Sequence, residues 1–144
     1  MAHHRLAAAL LLAALAWARP AAAETTVGVG ADLLLDPTRG GLQLTMAADI
    51  PVLRHFTVGG RGGLVLEAPP ASVALPLDLR LRALLGRFYL DALGGAWFGF
   101  RVGNALRLHA GLGFGLVVGD FTFGLELGWL ERSPMAGVRL AVPM

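Results

Sequence analysis

The sequence predicts an all-β fold, an eight-stranded antiparallel up-and-down barrel with short loops. Apolar residues alternate with polar or small residues along most of the chain, a period of two that places the two sets on opposite faces of strands. Clusters of Gly, Pro, Asp, Asn and Ser interrupt this alternation at regular intervals. Strands joined only by short turns pair as antiparallel neighbours, and an even number of them can close so that no edge is exposed.

The stretch 73–85 shows the alternation most clearly. Its odd positions are all Val, Leu or Ala, whereas Asp78, Arg80 and Arg82 lie at even positions. On a helix these three charges would be spread around the axis and would divide the leucine face. The stretch is therefore predicted to be a strand with one apolar face and one charged face.

Residues 1–23 have the three-part layout of a secretory signal peptide. A short polar start that includes Arg5 precedes an apolar run, and small residues follow at 21–23. We expect cleavage before Glu24, so that the barrel domain comprises residues 24–144. The alternative is a retained N-terminal membrane anchor, but the apolar run is short compared with the ~20 residues of a membrane-spanning helix.

Turn chemistry divides the first half of the barrel domain into four strands. Residues 36–40, which include Asp, Pro and Gly, end the first strand, and a break at 52–55 ends the second. Two prolines at 69–72 end the third strand, and Gly-Arg at 86–87 ends the fourth. The first four strands are predicted at about 25–35, 41–51, 56–68 and 73–85.

The second half follows the same scheme. A turn is predicted at 101–104, Gly-Asp at 119–120 is a two-residue hairpin signal, and 131–134 closes the seventh strand. The last four strands are predicted at about 88–100, 106–118, 121–129 and 136–144. The connections at 36–40, 69–72, 101–104 and 131–134 lie at the end of the barrel opposite to both chain ends.

Two places allow a different register. Pro76 cannot donate to a strand ladder, which allows the regular fourth strand to begin as late as Leu77. The glycines at 59–63 and 94–95 favour bulges, and a bulge reverses the inward and outward positions beyond it. Without such a slip Trp97 faces the lumen, and with one it faces lipid.

The apolar face of these strands is predicted to lie outside, in lipid. It is crowded with Leu and Phe and carries no charge, whereas the other face combines glycines with charged residues. An eight-stranded barrel is only just wide enough for side chains, so the smaller and charged set suits the interior, where opposite charges can pair. A closed barrel also satisfies its backbone hydrogen bonds in lipid. The predicted lumenal polar network is Asp32, Asp49, Arg61, Glu67, Asp78, Arg80, Arg82, Asp91, Arg107, His109, Glu126 and Arg139.

Aromatic residues are predicted to form two girdles at the ends of the strands, the arrangement expected of outer-membrane barrels. The alternative interpretation is that aromatic residues are simply common in strands. One predicted girdle consists of Phe56, Phe88, Phe121 and Phe123, and the other of Phe98, Phe100 and Trp129.

In strand number, alternation and export signal, residues 25–144 resemble the small eight-stranded outer-membrane proteins of the OmpA-domain and OmpX type. The resemblance implies a transmembrane β-barrel in the outer membrane of a Gram-negative envelope, reached through a Sec-type signal peptide. Outer-membrane lipid and the outer-membrane insertion machinery are the implied partners, and a monomer is expected. With both chain ends in the periplasm, the connections at 36–40, 69–72, 101–104 and 131–134 face the cell exterior. Because these connections are short and binding usually resides in loops, a structural role is favoured over a receptor or adhesin.

Two other functions stay open, a small porin-like channel and a soluble periplasmic lipocalin-like barrel that binds an apolar ligand. Arginine–carboxylate pairs are expected to plug the middle of the lumen, which favours the structural role over the channel. The soluble barrel would need Leu77, Leu79 and Leu81 inside rather than outside.

Composition excludes several other classes. All twelve basic residues are Arg, and without Arg5 and Arg19 the remaining ten balance ten acidic residues, so nucleic-acid binding is not expected. The chain has no Cys and four His, two of them in the predicted signal peptide, so no metal site or cofactor is expected.

No enzymatic activity is predicted. A Ser–His hydrolase needs the two side chains within hydrogen-bond reach. The two serines, Ser72 and Ser133, are predicted in loops, whereas His109 lies in the middle of a strand. His109 is instead expected to join the lumenal network with Glu126 or Asp91.

Overall fold

Eight strands form one closed barrel in the computed structural model, which describes residues 23–100 and 105–144. Each strand pairs antiparallel with the next, and β8 closes the ring by pairing with β1. The strands are β1 Glu24–Leu35, β2 Thr38–Leu53, β3 Phe56–Ala68, β4 Ser72–Leu85, β5 Phe88–Gly99, β6 Leu106–Val118, β7 Phe121–Leu130 and β8 Ser133–Pro143.

Residues 1–22 and 101–104 lie outside the described residues. These are the predicted signal peptide, except for Ala23, and the turn predicted at 101–104. Within the described residues no helix is long and apolar enough to cross a membrane.

Four predicted connections are shorter in the structure, and two of these, 52–55 and 69–72, contract to 54–55 and 69–71. The ladder between β1 and β2 continues to the pair Leu35↔Thr38, so that the turn predicted at 36–40 contracts to two residues. The ladder between β7 and β8 likewise continues to Leu130↔Ser133 and leaves a two-residue turn in place of 131–134. Two residues are enough to reverse a hairpin, and longer ladders satisfy more backbone groups.

The register is regular through the glycine-rich segments. The ladder between β2 and β3 runs without a shift through 59–63, and its one irregularity lies between Pro51 and Leu53. The ladder between β4 and β5 runs through 94–95 in the same way. Trp97 therefore faces the interior and is 0% exposed.

Strand β4 extends on both sides of Pro76, which pairs with Trp97 of β5. On the other side, the ladder with β3 is interrupted between Gly62↔Leu77 and Val65↔Ala74, and it resumes in the same register. A proline without an N–H group accounts for the interruption without a shift. The regular strand therefore begins at Ser72 and not at Leu77.

The pleat separates two kinds of side chain, as the alternation predicts. Outward positions of the strands carry Leu, Phe, Val and Ala, and Leu79 is the most exposed of the large apolar residues at 75%. Inward positions carry most of the buried polar and charged residues. We call the two ends of the barrel proximal and distal. At the proximal end β1 begins and β8 ends, beside the turns 54–55, 86–87 and 119–120, and the turns 36–37, 69–71 and 131–132 lie at the distal end.

Two adjacent glycines test this register. A Cβ added at Gly95 would meet the carbonyl oxygen of Leu77 and lie 2.6 Å from Asp78 Cα, whereas a Cβ at Gly94 would have no neighbour within 4 Å. We expect Gly95→Ala to lower the free energy of unfolding by about 1–3 kcal/mol because the backbone of β4 must move. Gly94→Ala is expected to raise it by about 0.5–1 kcal/mol because alanine has less freedom to lose on folding. Urea titration of the two variants in detergent micelles measures both values, and the reverse order would indicate a register displaced by one residue.

Candidate functional site

The lumen is the candidate site, because it collects the charged side chains of the strands. All twelve side chains of the predicted polar network point into it. Nine are buried, and the side chains of Arg82, Arg107 and Arg139 are 13–14% exposed. Each carboxylate among the twelve forms an ion pair with at least one arginine.

A group of side chains that we call the middle network connects opposite walls of the barrel. Arg61 of β3 donates from Nη2 to Asp78 Oδ2 at 2.7 Å and to Glu126 Oε1 at 3.1 Å. Arg139 of β8 lies 2.6 Å from Asp32 Oδ1 through Nη2 and donates from Nε to Glu126 Oε2 at 3.2 Å. Since β3 and β7 are four strands apart in either direction around the ring, the Arg61–Glu126 pair spans the lumen. Gln43 donates from Nε2 to Asp32 Oδ2. The middle network consists of Asp32, Gln43, Arg61, Asp78, His109, Glu126 and Arg139.

Two ion pairs lie closer to the proximal end. Arg82 of β4 donates from Nε and Nη2 to the two carboxylate oxygens of Asp91 on β5, at 2.7 and 2.8 Å, in a bidentate pair. Its guanidinium carbon lies 4.2 Å from the centre of the Tyr89 ring, a cation–π contact. Arg80 donates to both oxygens of Asp49. These contacts tie β2, β4 and β5 together inside the barrel.

A third ion pair lies at the distal end. Arg107 of β6 donates to Glu67 of β3 at 2.6 and 3.1 Å. Ser72 donates a further hydrogen bond to Glu67 at 3.3 Å. The other serine, Ser133, donates to the carbonyl oxygen of Asp36. Both serines begin strands, β4 and β8, rather than lying in loops as predicted.

An apolar cluster fills the distal half of the lumen, and sequence reasoning missed it. It comprises Leu34, Val65, Ala74, Trp97, Leu130 and Met135, each no more than 3% exposed. A signal was present, because the strands become apolar on both faces near the distal end, at 33–35, 64–66 and 129–130. Continuous apolar runs are typical of strands that are buried on both faces.

His109 connects this apolar cluster to the middle network. Its ring is tilted against Trp97 with centroids 5.5 Å apart, and its Nδ1 lies 2.8 Å from Asp78 Oδ1. Of the two partners expected from the sequence, Glu126 lies 3.5 Å from Nε2, whereas Asp91 is bound to Arg82. The closest carboxylate is Asp78, which the sequence interpretation did not name as a partner.

The seven predicted girdle residues all point outward and are 41–63% exposed. Phe56, Phe88, Phe121 and Phe123 lie at or near the proximal ends of their strands, where the rings of Phe121 and Phe123 stack with centroids 6.1 Å apart. Phe98, Phe100 and Trp129 lie near the distal end.

The proximal half of the lumen encloses a small cavity of about 40 Å³. Its lining includes Thr45, Arg80, Arg82, Tyr89 and Asp91. This volume exceeds the ~10–15 Å³ that a cavity needs to hold a water molecule. In the part of the chain that the structure describes, no group of three or more acidic and histidine side chains is arranged to hold a metal ion.

Comparison with solved structures identifies the fold. A de novo designed transmembrane β-barrel superimposes with a TM-score of 0.65 at 14% sequence identity, over 88% of this chain and 98% of that one. The chain has the fold of a transmembrane β-barrel. A second designed barrel, TMB2.3, gives a TM-score of 0.64 at 18% identity, over 85% of this chain and 94% of that one.

A natural protein shares the same barrel fold. The outer membrane protein Ail of Yersinia pestis, in a phospholipid bilayer nanodisc, superimposes with a TM-score of 0.59 at 11% identity, over 85% of this chain and 99% of that one. No protein-family model and no curated protein matches the chain. The predicted fold class is thus confirmed, and identities this low show the fold alone.

Proposed function

We propose that this chain is an integral outer-membrane β-barrel protein that serves a structural role in the envelope. The observation that carries the proposal is the distribution of charge. Outward positions of the described strands bear no charged side chain, while every carboxylate and arginine of the predicted lumenal network is paired inside. A soluble protein rarely exposes an apolar surface larger than a few hundred Å², whereas a continuous apolar band is what a bilayer solvates.

We further propose that the lumen is largely plugged. The Arg61–Glu126 pair crosses the middle, and the Trp97 cluster fills the distal half. A porin-like channel would need these contacts to open, because eight strands leave little space beyond their own side chains. The lipocalin-like alternative is disfavoured, because Leu77, Leu79 and Leu81 lie on the exposed outer face and charged rather than apolar side chains line the middle of the lumen.

Membrane fractionation with gel mobility tests the location. Cells exporting the chain are extracted with carbonate, and the membrane pellet is run on a gel with and without boiling. We expect the protein in the pellet, with a mobility that changes on boiling because the closed barrel resists the detergent. Release into the soluble periplasm without a mobility change would contradict the membrane assignment.

Planar-bilayer recording of the purified protein tests the plugged lumen. We expect no porin-sized conductance steps, and their appearance would contradict the proposal that the lumen is plugged.

A charge placed on the outside gives a sharper test of lipid contact. We expect Leu79→Arg to lower the free energy of unfolding from lipid vesicles by about 2–4 kcal/mol, because Leu79 lies far from both ends of β4 and points outward. Leu53→Arg is the control, since Leu53 is similarly exposed at 68% but ends β2 at the proximal end, where the cost is about 0–1 kcal/mol. Urea titration in vesicles measures both. Equal and negligible effects would indicate that water surrounds the barrel.

A further inference from the structure

His109 lies entirely inside the barrel with a carboxylate beside each ring nitrogen. Nδ1 is 2.8 Å from Asp78 Oδ1, and Nε2 is 3.5 Å from Glu126 Oε1. The first distance is a hydrogen bond, and the second is too long for one but short enough for strong electrostatic attraction. The side chain is 0% exposed, so bulk water does not screen either contact.

The middle network contains one more carboxylate than it has arginines. Asp32, Asp78 and Glu126 are held by two guanidinium groups, Arg61 and Arg139, and Glu126 is shared between them. The remaining lumenal arginines, Arg80, Arg82 and Arg107, pair with carboxylates of their own. With its three carboxylates ionised, the middle network therefore lacks one positive charge, and His109 is the member that can supply it.

The chemistry of imidazole makes the charge state of this ring decisive. A neutral ring donates from one nitrogen and presents a lone pair at the other, and here that lone pair would face a carboxylate oxygen. The doubly protonated ring donates from both nitrogens and adds one positive charge. A buried carboxylate without a compensating cation is strongly destabilising.

We propose that His109 is a proton-binding site of the lumen and that its imidazolium is the third cation of the middle network. The proposal goes beyond the structural role and concerns the interior alone. Failure of the membrane assignment would therefore leave it standing, and its own failure would leave the membrane assignment intact.

Among the residues that the structure describes, the charged side chains around His109 are engaged with one another. Asp78 of β4 and Glu126 of β7 are the anions that face it, and Arg61 of β3 and Arg139 of β8 are the cations behind them. On the β5 side the ring meets Trp97, which is uncharged. On β6 itself Arg107 lies two residues away and is engaged by Glu67.

Nitrogen NMR of the full chain in detergent micelles tests the charge state directly. The ring is assigned through its contact with Trp97 and followed from about pH 5 to about pH 8. We expect both ring nitrogens to carry protons at the acidic end of this range. A single N–H at every pH would overturn the proposal, and this measurement needs no variant.

Stability against pH gives the second readout. If the folded state holds a proton that the unfolded state has released, the unfolding equilibrium constant increases as the pH rises. The increase is up to about tenfold per pH unit over the pH interval in which only the folded state is protonated. We expect this rise in the wild type and in His55→Gln, since His55 is exposed in the turn 54–55. His109→Gln should lack it. An unchanged pH profile in His109→Gln would contradict the proposal.

A double substitution separates charge from packing. His109→Gln alone leaves three carboxylates against two arginines, whereas His109→Gln with Glu126→Gln leaves two against two. We expect Glu126→Gln to increase the unfolding equilibrium constant in both backgrounds. The factor of increase should be about tenfold smaller in the His109→Gln background than in the wild type. Simple additivity of the two effects would mean that His109 acts only by filling space.

Discussion

Arg61→Met is expected to lower the free energy of unfolding by about 3–5 kcal/mol, the usual cost of removing one partner from a buried ion pair. The guanidinium of Arg61 is 6% exposed and holds two carboxylates, Asp78 and Glu126, which are 0% and 2% exposed. Methionine fills a similar volume, so the loss reports charge rather than a cavity. Without Arg61, Asp78 retains His109 and Glu126 retains Arg139, and neither contact is bidentate.

Equilibrium urea unfolding of the barrel in detergent micelles measures this effect. Arg132→Met is the matched control, because Arg132 is exposed in the turn 131–132 and should change the value by no more than about 0.5 kcal/mol. Arg61→Lys keeps the positive charge but loses the planar guanidinium that contacts both carboxylates. Its free energy of unfolding should lie between those of Arg61→Met and Arg132→Met. If Arg61→Met were as stable as the Arg132 control, the network across the lumen would contribute no net stability.

The faces of the strands could be predicted from the sequence, because a period of two assigns each residue to one side irrespective of its partners. Asp78, Arg80 and Arg82 illustrate this, since all three lie inside as expected. The segments 59–63 and 94–95 also kept their register, since the glycines there fit the regular ladders without an extra residue.

The partners within the lumen could not be predicted in the same way. Which side chains meet across a barrel depends on strand tilt and stagger, which are properties of the whole ring rather than of any one strand. His109 therefore finds Asp78 rather than Asp91, and Arg61 reaches Glu126 on the opposite wall. The apolar cluster was missed for a different reason. At Leu34 and Leu130 the alternation ends, because the inward positions of the strands are apolar there as well as the outward ones.

Trp97, inside the lumen, gives the other large expected effect. We expect Trp97→Ala to lower the free energy of unfolding by about 3–5 kcal/mol, because it removes a completely buried side chain and leaves a cavity among five other buried apolar residues. The loss includes ring contacts with two members of the polar interior. His109 lies 5.5 Å from Trp97 between ring centroids, and the Arg107 guanidinium carbon lies 5.9 Å from the ring centre.

Trp129→Ala is the control, since Trp129 is the same residue type on the outer face of β7 and is 59% exposed. It leaves no internal cavity, so its effect should be smaller than that of Trp97→Ala by at least about 2 kcal/mol. Urea titration in micelles compares the two, and Trp97→Phe should recover part of the loss by refilling the space. Equal losses from Trp97→Ala and Trp129→Ala would mean that the distal cluster is not a packed core.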